Sequence, residues 1–236
     1  MKRCYICKQT FDHFYPFRDG WKSFPFIREL KVIGSDVDNF HCPHCGCHDR
    51  ERHLFMYFDK LDIWNNFHNT RILHFAPENF LLRAIEKRIP DEYVKADLNP
   101  QSSDTQKIDV TSIPFPDEYF DFIICNHVLE HVSDDIQALR ELYRVLKKGH
   151  SGILQTPYSP VLSQSFRDSK IDTDELRLKY YGQEDHVRLY GEDLFSKMKE
   201  AGFIVTRYKH KEILDHIDCD TYGINSEEDL ILGTKP

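Results

Sequence analysis

The sequence predicts an α/β protein: a doubly wound, mostly parallel seven-stranded sheet with an antiparallel edge, preceded by a small N-terminal unit of different build. Three observations predict this. From Arg71 onward, short apolar runs alternate with stretches of helical period, as parallel strands joined by crossover helices require. The chain closes on two strand-like runs, 203–208 and 229–232, which suits an antiparallel edge on such a sheet. Five of the seven cysteines (Cys4, Cys7, Cys42, Cys45 and Cys47) fall before the alternating pattern starts.

Residues 1–48 form the first expected unit. They are rich in aromatics (Tyr5, Phe11, Phe14, Tyr15, Phe17, Trp21, Phe24, Phe26) but carry no long period, and a unit this short needs a staple to fold. Residues 49–69 are expected to connect, mainly as a helix over 49–66 with Leu54, Phe55, Phe58, Leu61 and Trp64 at helical spacing. Residues 70–236 are the expected main domain. Its strands fall at 72–75, 93–97, 107–109, 121–125 and 152–155, besides the closing pair. Its helices fall at 80–88, ended by Pro90, at 134–146, with Ser133 as N-cap and Lys147, Lys148 and Gly149 at the end, and at 192–201, stopped by Gly202. Between them lies a long polar stretch, about 157–190, with Pro157, Pro160 and several tyrosines; a connection of that length marks a cap or a substrate loop.

The 236 residues are 40% hydrophobic and 30% charged, the balance of a soluble globular chain. No apolar run approaches the roughly 20 residues that span a bilayer, and Lys2, Arg3 and Cys4 do not open a signal peptide. A net charge of −8 argues against a broad nucleic-acid surface. The cysteines cluster instead of spreading as a secreted disulfide framework would, so the expected compartment is the cytoplasm.

Cys4 and Cys7 make one C-x-x-C knuckle, and Cys42 and Cys45 a second. Four thiolates suit a tetrahedral Zn²⁺. A closed four-thiolate set is structural: metal binding supplies folding energy. Unliganded thiols and redox or iron–sulfur chemistry are the alternatives. Cys47 stands as a substitute ligand, and His41, His44 and His48 read as surface residues of the knuckle. Farther on, the apolar runs ending near Phe75 and Cys125 both stop at polar residues where a helix should begin, and Asp97 and Asp109 end two further strands. Strand ends that carry acids, Asn126 and His127 suggest a nucleoside pocket in the crevice of an open α/β sheet. Cys125 reads as a buried strand residue, and His131, one helical turn beyond His127, as structural.

Several segments together resemble the class I S-adenosylmethionine-dependent methyltransferases over roughly residues 70–236: Asp97-Leu98-Asn99, Ile108-Asp109-Val110, Ile113-Pro114-Phe115-Pro116-Asp117-Glu118-Tyr119-Phe120-Asp121, Asn126-His127-Val128-Leu129-Glu130-His131-Val132, and the helix end Arg140-Glu141-Leu142-Tyr143-Arg144-Val145-Leu146-Lys147-Lys148-Gly149. The resemblance implies a Rossmann-like methyltransferase domain with S-adenosylmethionine as cofactor. It implies that Asp97 and Leu98 meet the ribose, Asp109 and Val110 the adenine, Phe75, Ala76 and Glu78 the methionine part, and Asn126 and His127 the sulfonium region. The first motif departs from the family. His74 stands in place of the usual acid, and Ala76 and Glu78 in place of two glycines, with Glu78 a candidate for the cofactor's ammonium. The cysteine knuckles, Arg50-x-Arg52, the Ala-Pro-Glu turn and Gly182-Gln183-Glu184-Asp185-His186-Val187-Arg188 resemble a bacterial subgroup with an N-terminal four-cysteine zinc unit.

Methyl transfer from a sulfonium needs positioning, and an oxygen or nitrogen acceptor needs a base, for which His127 and His186 are the candidates. Glu184, Asp185 and Arg188 are candidate substrate-binding residues; the alternative is a solvated charged loop. The expected function is methylation of a small molecule or sugar at oxygen or nitrogen, the sugar preference resting on the subgroup resemblance. One alternative is an RNA methyltransferase whose zinc unit binds RNA through Lys2, Arg3, Lys8, Arg18, Lys22, Arg28, Lys31, Arg50 and Arg52 interleaved with aromatics. A second, motivated by the lost glycines, is a non-catalytic cofactor-binding or docking protein. Oligomeric state is not encoded legibly.

Overall fold

In the computed structural model, which describes residues 1–236, the elements follow in the order β1 (Lys2–Arg3), β2 (Thr10–Phe11), α1 (Pro25–Glu29), α2 (Asp49–Lys60), β3 (Arg71–Phe75), α3 (Asn79–Glu86), β4 (Glu92–Asp97), β5 (Gln106–Lys107), β6 (Phe120–Cys125), α4 (Asp135–Val145), β7 (Leu146–Ile153), α5 (Asp174–Tyr181), α6 (Asp193–Glu200), β8 (Ile204–Tyr208), α7 (His210–Ile213), α8 (Cys219–Tyr222) and β9 (Leu230–Thr234). Strands β3 to β9 make one sheet in the order β5-β4-β3-β6-β7-β9-β8. Pairing is parallel from β5 through β7 and antiparallel where β9 meets β7 and β8. The chain starts at β3 and runs outward one way to β5, then returns to β6 on the other side of β3. That reversal opens a crevice at the carboxyl ends of β3 and β6.

The strands were legible because a parallel strand buried on both faces reads as a continuous apolar run. Along β3 and β6 the faces alternate. Leu73, Phe75, Ile123 and Cys125 pack with Leu139 and Leu142 of α4 and Leu194 and Met198 of α6. Ile72, Phe122 and Ile124 pack on the opposite face with Leu54, Tyr57 and Phe58 of α2 and Leu81 and Ile85 of α3. Each fully buried side chain of this size contributes roughly 1.5–3 kcal/mol. Helix α2, expected as a connector, is therefore also a layer of the main core.

Two local expectations are corrected. The N-cap of α4 is Asp134, whose carboxylate accepts from the Gln137 amide at 3.0 Å, not Ser133. The helix then passes into β7 at Leu146, so Lys147 and Lys148 lie in a strand, and Lys147 pairs with Asp121 at 2.6 Å instead of facing a helix end. The stretch 157–190 carries α5 and folds against the N-terminal unit. Phe24, Ile27, Tyr181 and Leu189 form a small apolar core of their own, and Ile33 bridges to Tyr158.

Arg52 of α2 holds these parts in register. Its side chain is fully buried and faces no carboxylate. Instead it donates to five carbonyls: Asn39 at 2.6 Å, Phe40 at 3.2 Å and Cys47 at 3.0 Å on the N-terminal side, and Tyr222 at 2.9 Å and Gly223 at 2.6 Å near the C-terminus. The guanidinium also lies 4.0 Å from the centre of the Phe14 ring. Arg52→Met should destabilise the protein by on the order of 3–5 kcal/mol, because it strands several buried carbonyls at once. Arg52→Lys should not restore it, since an ammonium lacks the planar fork. Chemical denaturation checks both; a loss below about 1 kcal/mol would mean that water replaces the guanidinium.

Candidate active site

At the end of β3 the chain must turn sharply into α3. Ala76 adopts a left-handed conformation, φ 46°, where the methyltransferase pattern has glycine, and its amide donates to the Ala96 carbonyl at 2.8 Å. Glu78 then swings its carboxylate back toward the strand. Its Oε2 lies 2.9 Å from His74 Nε2, its Oε1 accepts from Asn126 Nδ2 at 2.6 Å, and His74 Nδ1 lies 2.7 Å from the Tyr93 hydroxyl. Burial pushes the Glu78 carboxyl up, but the His74 hydrogen bond and charge, with the Asn126 bond, outweigh it and leave it below the usual range. The acid missing at position 74 is thus returned to the same strand end by Glu78. Asn126 Oδ1 is buried without a partner.

Beside this turn lies a cavity of about 650 Å³, floored by the ends of β3 and β6 and roofed by the N-terminal unit through Phe17, Trp21, Phe24 and Phe40. His127, also left-handed at φ 53°, sits at its rim. Its Nδ1 lies 3.4 Å from Glu130 and its Nε2 3.5 Å from Glu228. Burial and the nearby Arg50 guanidinium push its pKa down, yet the two glutamates outweigh them and the net shift is upward. Glu130 and Glu228 are correspondingly held below the usual carboxylate range, burial being overcome by His127 and other imidazoles. The two flanking carboxylates thus favour the charged form of His127. His186 is the opposite case: burial is the largest influence and its pKa is lowered. Its Nδ1 lies 2.9 Å from the Tyr181 carbonyl.

The other expected residues divide. Glu78, Ala76, Asn126, His127 and His186 meet at the cavity. Asp97, Leu98, Asp109 and Val110 lie on the neighbouring ledge at the ends of β4 and β5, outside it. Asp97 Oδ1 accepts from the Asn99 amide at 2.7 Å, leaving Oδ2 available, and Leu98 is 54% exposed. Asp109 Oδ1 closes a turn on Thr111. Phe75 and Val110 are buried in the core, so each offers the ledge its backbone. The three candidate substrate-binding residues all have partners within the chain. Arg188 is buried against Asp135 and donates to the carbonyls of Val132 and Ser133. Glu184 pairs with Arg18, and Asp185 lies 3.2 Å from His131. Conversely, His131 lines the cavity instead of being purely structural, and Glu130 and Arg50 line it too. Glu228, just before β9, had no local signal at all.

All five N-terminal cysteines converge. Cys4 Sγ lies 3.4 Å from Cys47 and 3.8 Å from Cys45, and Cys7 lies 3.8 Å from Cys42. One sulfur each from Cys4, Cys42, Cys45 and Cys47 falls within 4.8 Å of the others, so Cys47 enters the mutually adjacent set and Cys7 joins it through Cys42. Four sulfurs about 2.3 Å from one zinc would stand at such spacings. The Arg52 guanidinium, 3.8 Å from Cys47 Sγ, suits a thiolate cluster. Cys42→Ser should release bound zinc and loosen the N-terminal unit while the main sheet stays folded, read by metal analysis and amide exchange. Comparing Cys7→Ser with Cys47→Ser identifies the fourth thiolate. Ala76→Gly should raise the melting temperature, relieving roughly 0.5–1 kcal/mol of net strain; a lower melting temperature would mean that the methyl group carries essential contacts.

A family profile described as a methyltransferase domain matches residues 79–154. The ubiquinone/menaquinone biosynthesis C-methyltransferase UbiE of Vibrio parahaemolyticus is 31% identical over 109 residues, 41% of this chain and 42% of its own length. The uncharacterized methyltransferase YcgJ of Bacillus subtilis is 45% identical over 49 residues, 21% of this chain and 19% of its own. The chain thus spans less than half the length of these curated relatives. Among solved structures, the YcgJ protein of Bacillus subtilis superposes with a TM-score of 0.53 at 18% identity, covering 78% of this chain and 98% of that one. An S-adenosylmethionine-dependent methyltransferase from Mesorhizobium loti gives 0.50 at 11% identity, covering 75% and 95%. The matched segment runs from the start of α3 to the end of β7, the part that builds the crevice, and the fold is that of S-adenosylmethionine-dependent methyltransferases, to which the chain is similar.

Proposed function

We propose that the protein transfers a methyl group from S-adenosylmethionine to an oxygen or nitrogen of a small molecule or sugar held in the roofed cavity. The observation that carries this is the line of polar groups on adjacent strand ends. Glu78 and Asn126 line the cavity, Asn126 Oδ1 being buried without a partner, and Asp97 and Asp109 close turns on the neighbouring ledge. Such a line fits an elongated ligand with an ammonium at one end and a ribose diol and purine at the other. In this reading Glu78 holds the ammonium, the backbone of Phe75 and Ala76 lies along the methionine part, Asp97 and Leu98 take the ribose, and Asp109 and Val110 line the adenine. The cofactor, when bound, supplies an activated methyl group; the chain's own task is positioning and electrostatics. Ionised Glu78 and Glu130 make the crevice hospitable to positive charge, and His127 fixes the Glu130 carboxylate. The corner formed by Glu130, His131 and His186 is where the acceptor's reacting group would sit.

The aromatic roof and the cavity size favour a small acceptor with a flat face. Of the basic residues behind the RNA reading, Arg52 lies in the core and Arg50 lines the cavity, Lys2 and Arg18 pair at the surface with Asp220 and Glu184, and Arg3, Lys8, Lys22, Arg28 and Lys31 are exposed, so a steep salt dependence of RNA binding would favour that reading. We assign residues 1–48 to a zinc unit, 49–69 to a connection and 70–236 to the methyltransferase domain. No helix is long and apolar enough to cross a membrane; we place the protein in the cytoplasm on the clustering of its cysteines.

Calorimetric titration of the zinc-loaded protein with S-adenosylmethionine and S-adenosylhomocysteine should give micromolar binding. Asp97→Ala should weaken it by on the order of 1–3 kcal/mol through a lost charge-assisted bond. Unchanged affinity would remove Asp97 from the site. No binding to folded protein would favour the docking-protein alternative.

A further inference from the structure

We infer that Glu130, His131 and His186 form a second metal site, distinct from the cysteine cluster, which holds a divalent transition-metal ion in the cavity and presents open positions to a hydroxyl of the methyl acceptor. The role of the ion in methylation rests on the function proposed above; its binding does not.

The geometry points to a metal through the donors and through what orients them. One donor atom from each of the three residues lies within 4.8 Å of the others. Glu130 Oε1 is 3.9 Å from His186 Nε2, and the His131 and His186 rings stand almost perpendicular with centroids 4.7 Å apart. Imidazoles that bind metal are usually fixed by an acceptor on the other ring nitrogen, and ligating carboxylates are themselves hydrogen-bonded. All three partners are present. His186 Nδ1 lies 2.9 Å from the Tyr181 carbonyl, so Nε2 faces Glu130. His131 Nδ1 lies 3.2 Å from Asp185 Oδ2, which leaves Nε2 free. Glu130 Oε2 accepts from the Thr156 hydroxyl at 2.6 Å, and Oε1 lies between His127 Nδ1 at 3.4 Å and His186 Nε2 at 3.9 Å. A plain ion-pair cluster has no need for both ring tautomers to be set by outer acceptors.

All three residues line the cavity. Three protein ligands with room beside them are the pattern of a catalytic rather than a structural site. Two imidazoles and one carboxylate select zinc, iron(II), cobalt or nickel over magnesium and calcium. Glu130 and His131 belong to the turn that follows β6, whereas His186 comes from the 157–190 segment, whose Val187 amide donates to the Glu130 carbonyl at 2.9 Å. The ion would therefore pin the cap to the crevice. A hydroxyl bound to it is acidified. In the transfer the acceptor's O–H proton passes to water, the new bond forms between oxygen and the methyl carbon, and the carbon–sulfur bond breaks with its electron pair returning to sulfur.

The test titrates cobalt(II) into protein whose cysteine site is already filled with zinc. The expected result is one further equivalent with weak visible bands and no sulfur-to-cobalt charge transfer. His131→Asn removes a ligand. Asp185→Asn leaves all three ligands in place and alters only an exposed partner, so folding is not at stake. Each should weaken cobalt binding by at least about tenfold while the zinc stays bound. Failure of the wild-type protein to take up a second ion, or unchanged cobalt affinity in both variants, overturns the inference. S-adenosylhomocysteine titration without cobalt separates the two proposals: S-adenosylhomocysteine binding with no second metal sinks the metal site alone, and cobalt binding with no S-adenosylhomocysteine binding sinks the methyltransferase reading alone.

Discussion

The buried Arg52 guanidinium determines where the cavity roof sits. It lies on α2, whose opposite side packs Leu54, Tyr57 and Phe58 against the main sheet. From that anchored helix it reaches carbonyls of the cysteine unit and of the segment before β9. A lone buried charge is costly unless every donor is used, and here five carbonyls from three parts of the chain use them. The sulfur cluster next to it adds negative character on the same side. The cysteine unit is therefore bound to the sheet in one orientation, and Phe17, Trp21, Phe24 and Phe40 become a wall of the crevice instead of the surface of a tethered module. Glu51, one residue earlier, reinforces this: it receives the His48 amide at the start of α2 and the Phe80 amide at the start of α3.

The altered first motif shows how a site can keep its electrostatics while losing its signature. At the end of β3, where the methyltransferase pattern has an acid, this chain has His74. Glu78, four residues on, restores a carboxylate through a direct contact with that histidine. Asn126 at the end of β6 holds the same carboxylate from the other side, so the two strand ends that flank the crevice are tied together. The backbone turn was kept as well, since Ala76 occupies the left-handed region that glycine would take freely.

What the sequence revealed follows from which interactions are local. The parallel strands could be read because their burial on both faces writes an unbroken apolar run, and the cysteine cluster because each knuckle is local. Ser133 and Asp134 are both good caps, and only the backbone decides between them. Lys147 and Lys148 look like a helix end until Leu146 begins a strand. The charged run Glu184 to Arg188 reads as one substrate loop, but its partners, Arg18 on one side and His131 and Asp135 on the other, lie in two distant segments. Glu228 sits in an acidic run that resembles any exposed turn, yet it is buried beside His127. The partners of Glu184 to Arg188 and the burial of Glu228 are set by long-range contacts that no window of sequence contains.

The same contacts divide the cavity into two chemically unlike halves. Its floor carries Glu78 and Glu130, kept ionised by His74, Asn126 and His127, with Glu228 behind them. Its roof is aromatic. In a low-dielectric pocket, fixed carboxylates favour positive charge far more than they would in water. Arg50 on the wall offsets part of that field. Glu130 Oε1 faces two imidazoles, His127 at 3.4 Å and His186 at 3.9 Å. The floor therefore suits a cationic centre close to the strand ends, and the roof a flat apolar face above it. A ligand that meets both must lie across the crevice with its polar edge down, which is the orientation that the turn after β3 and the turn after β6 jointly enforce.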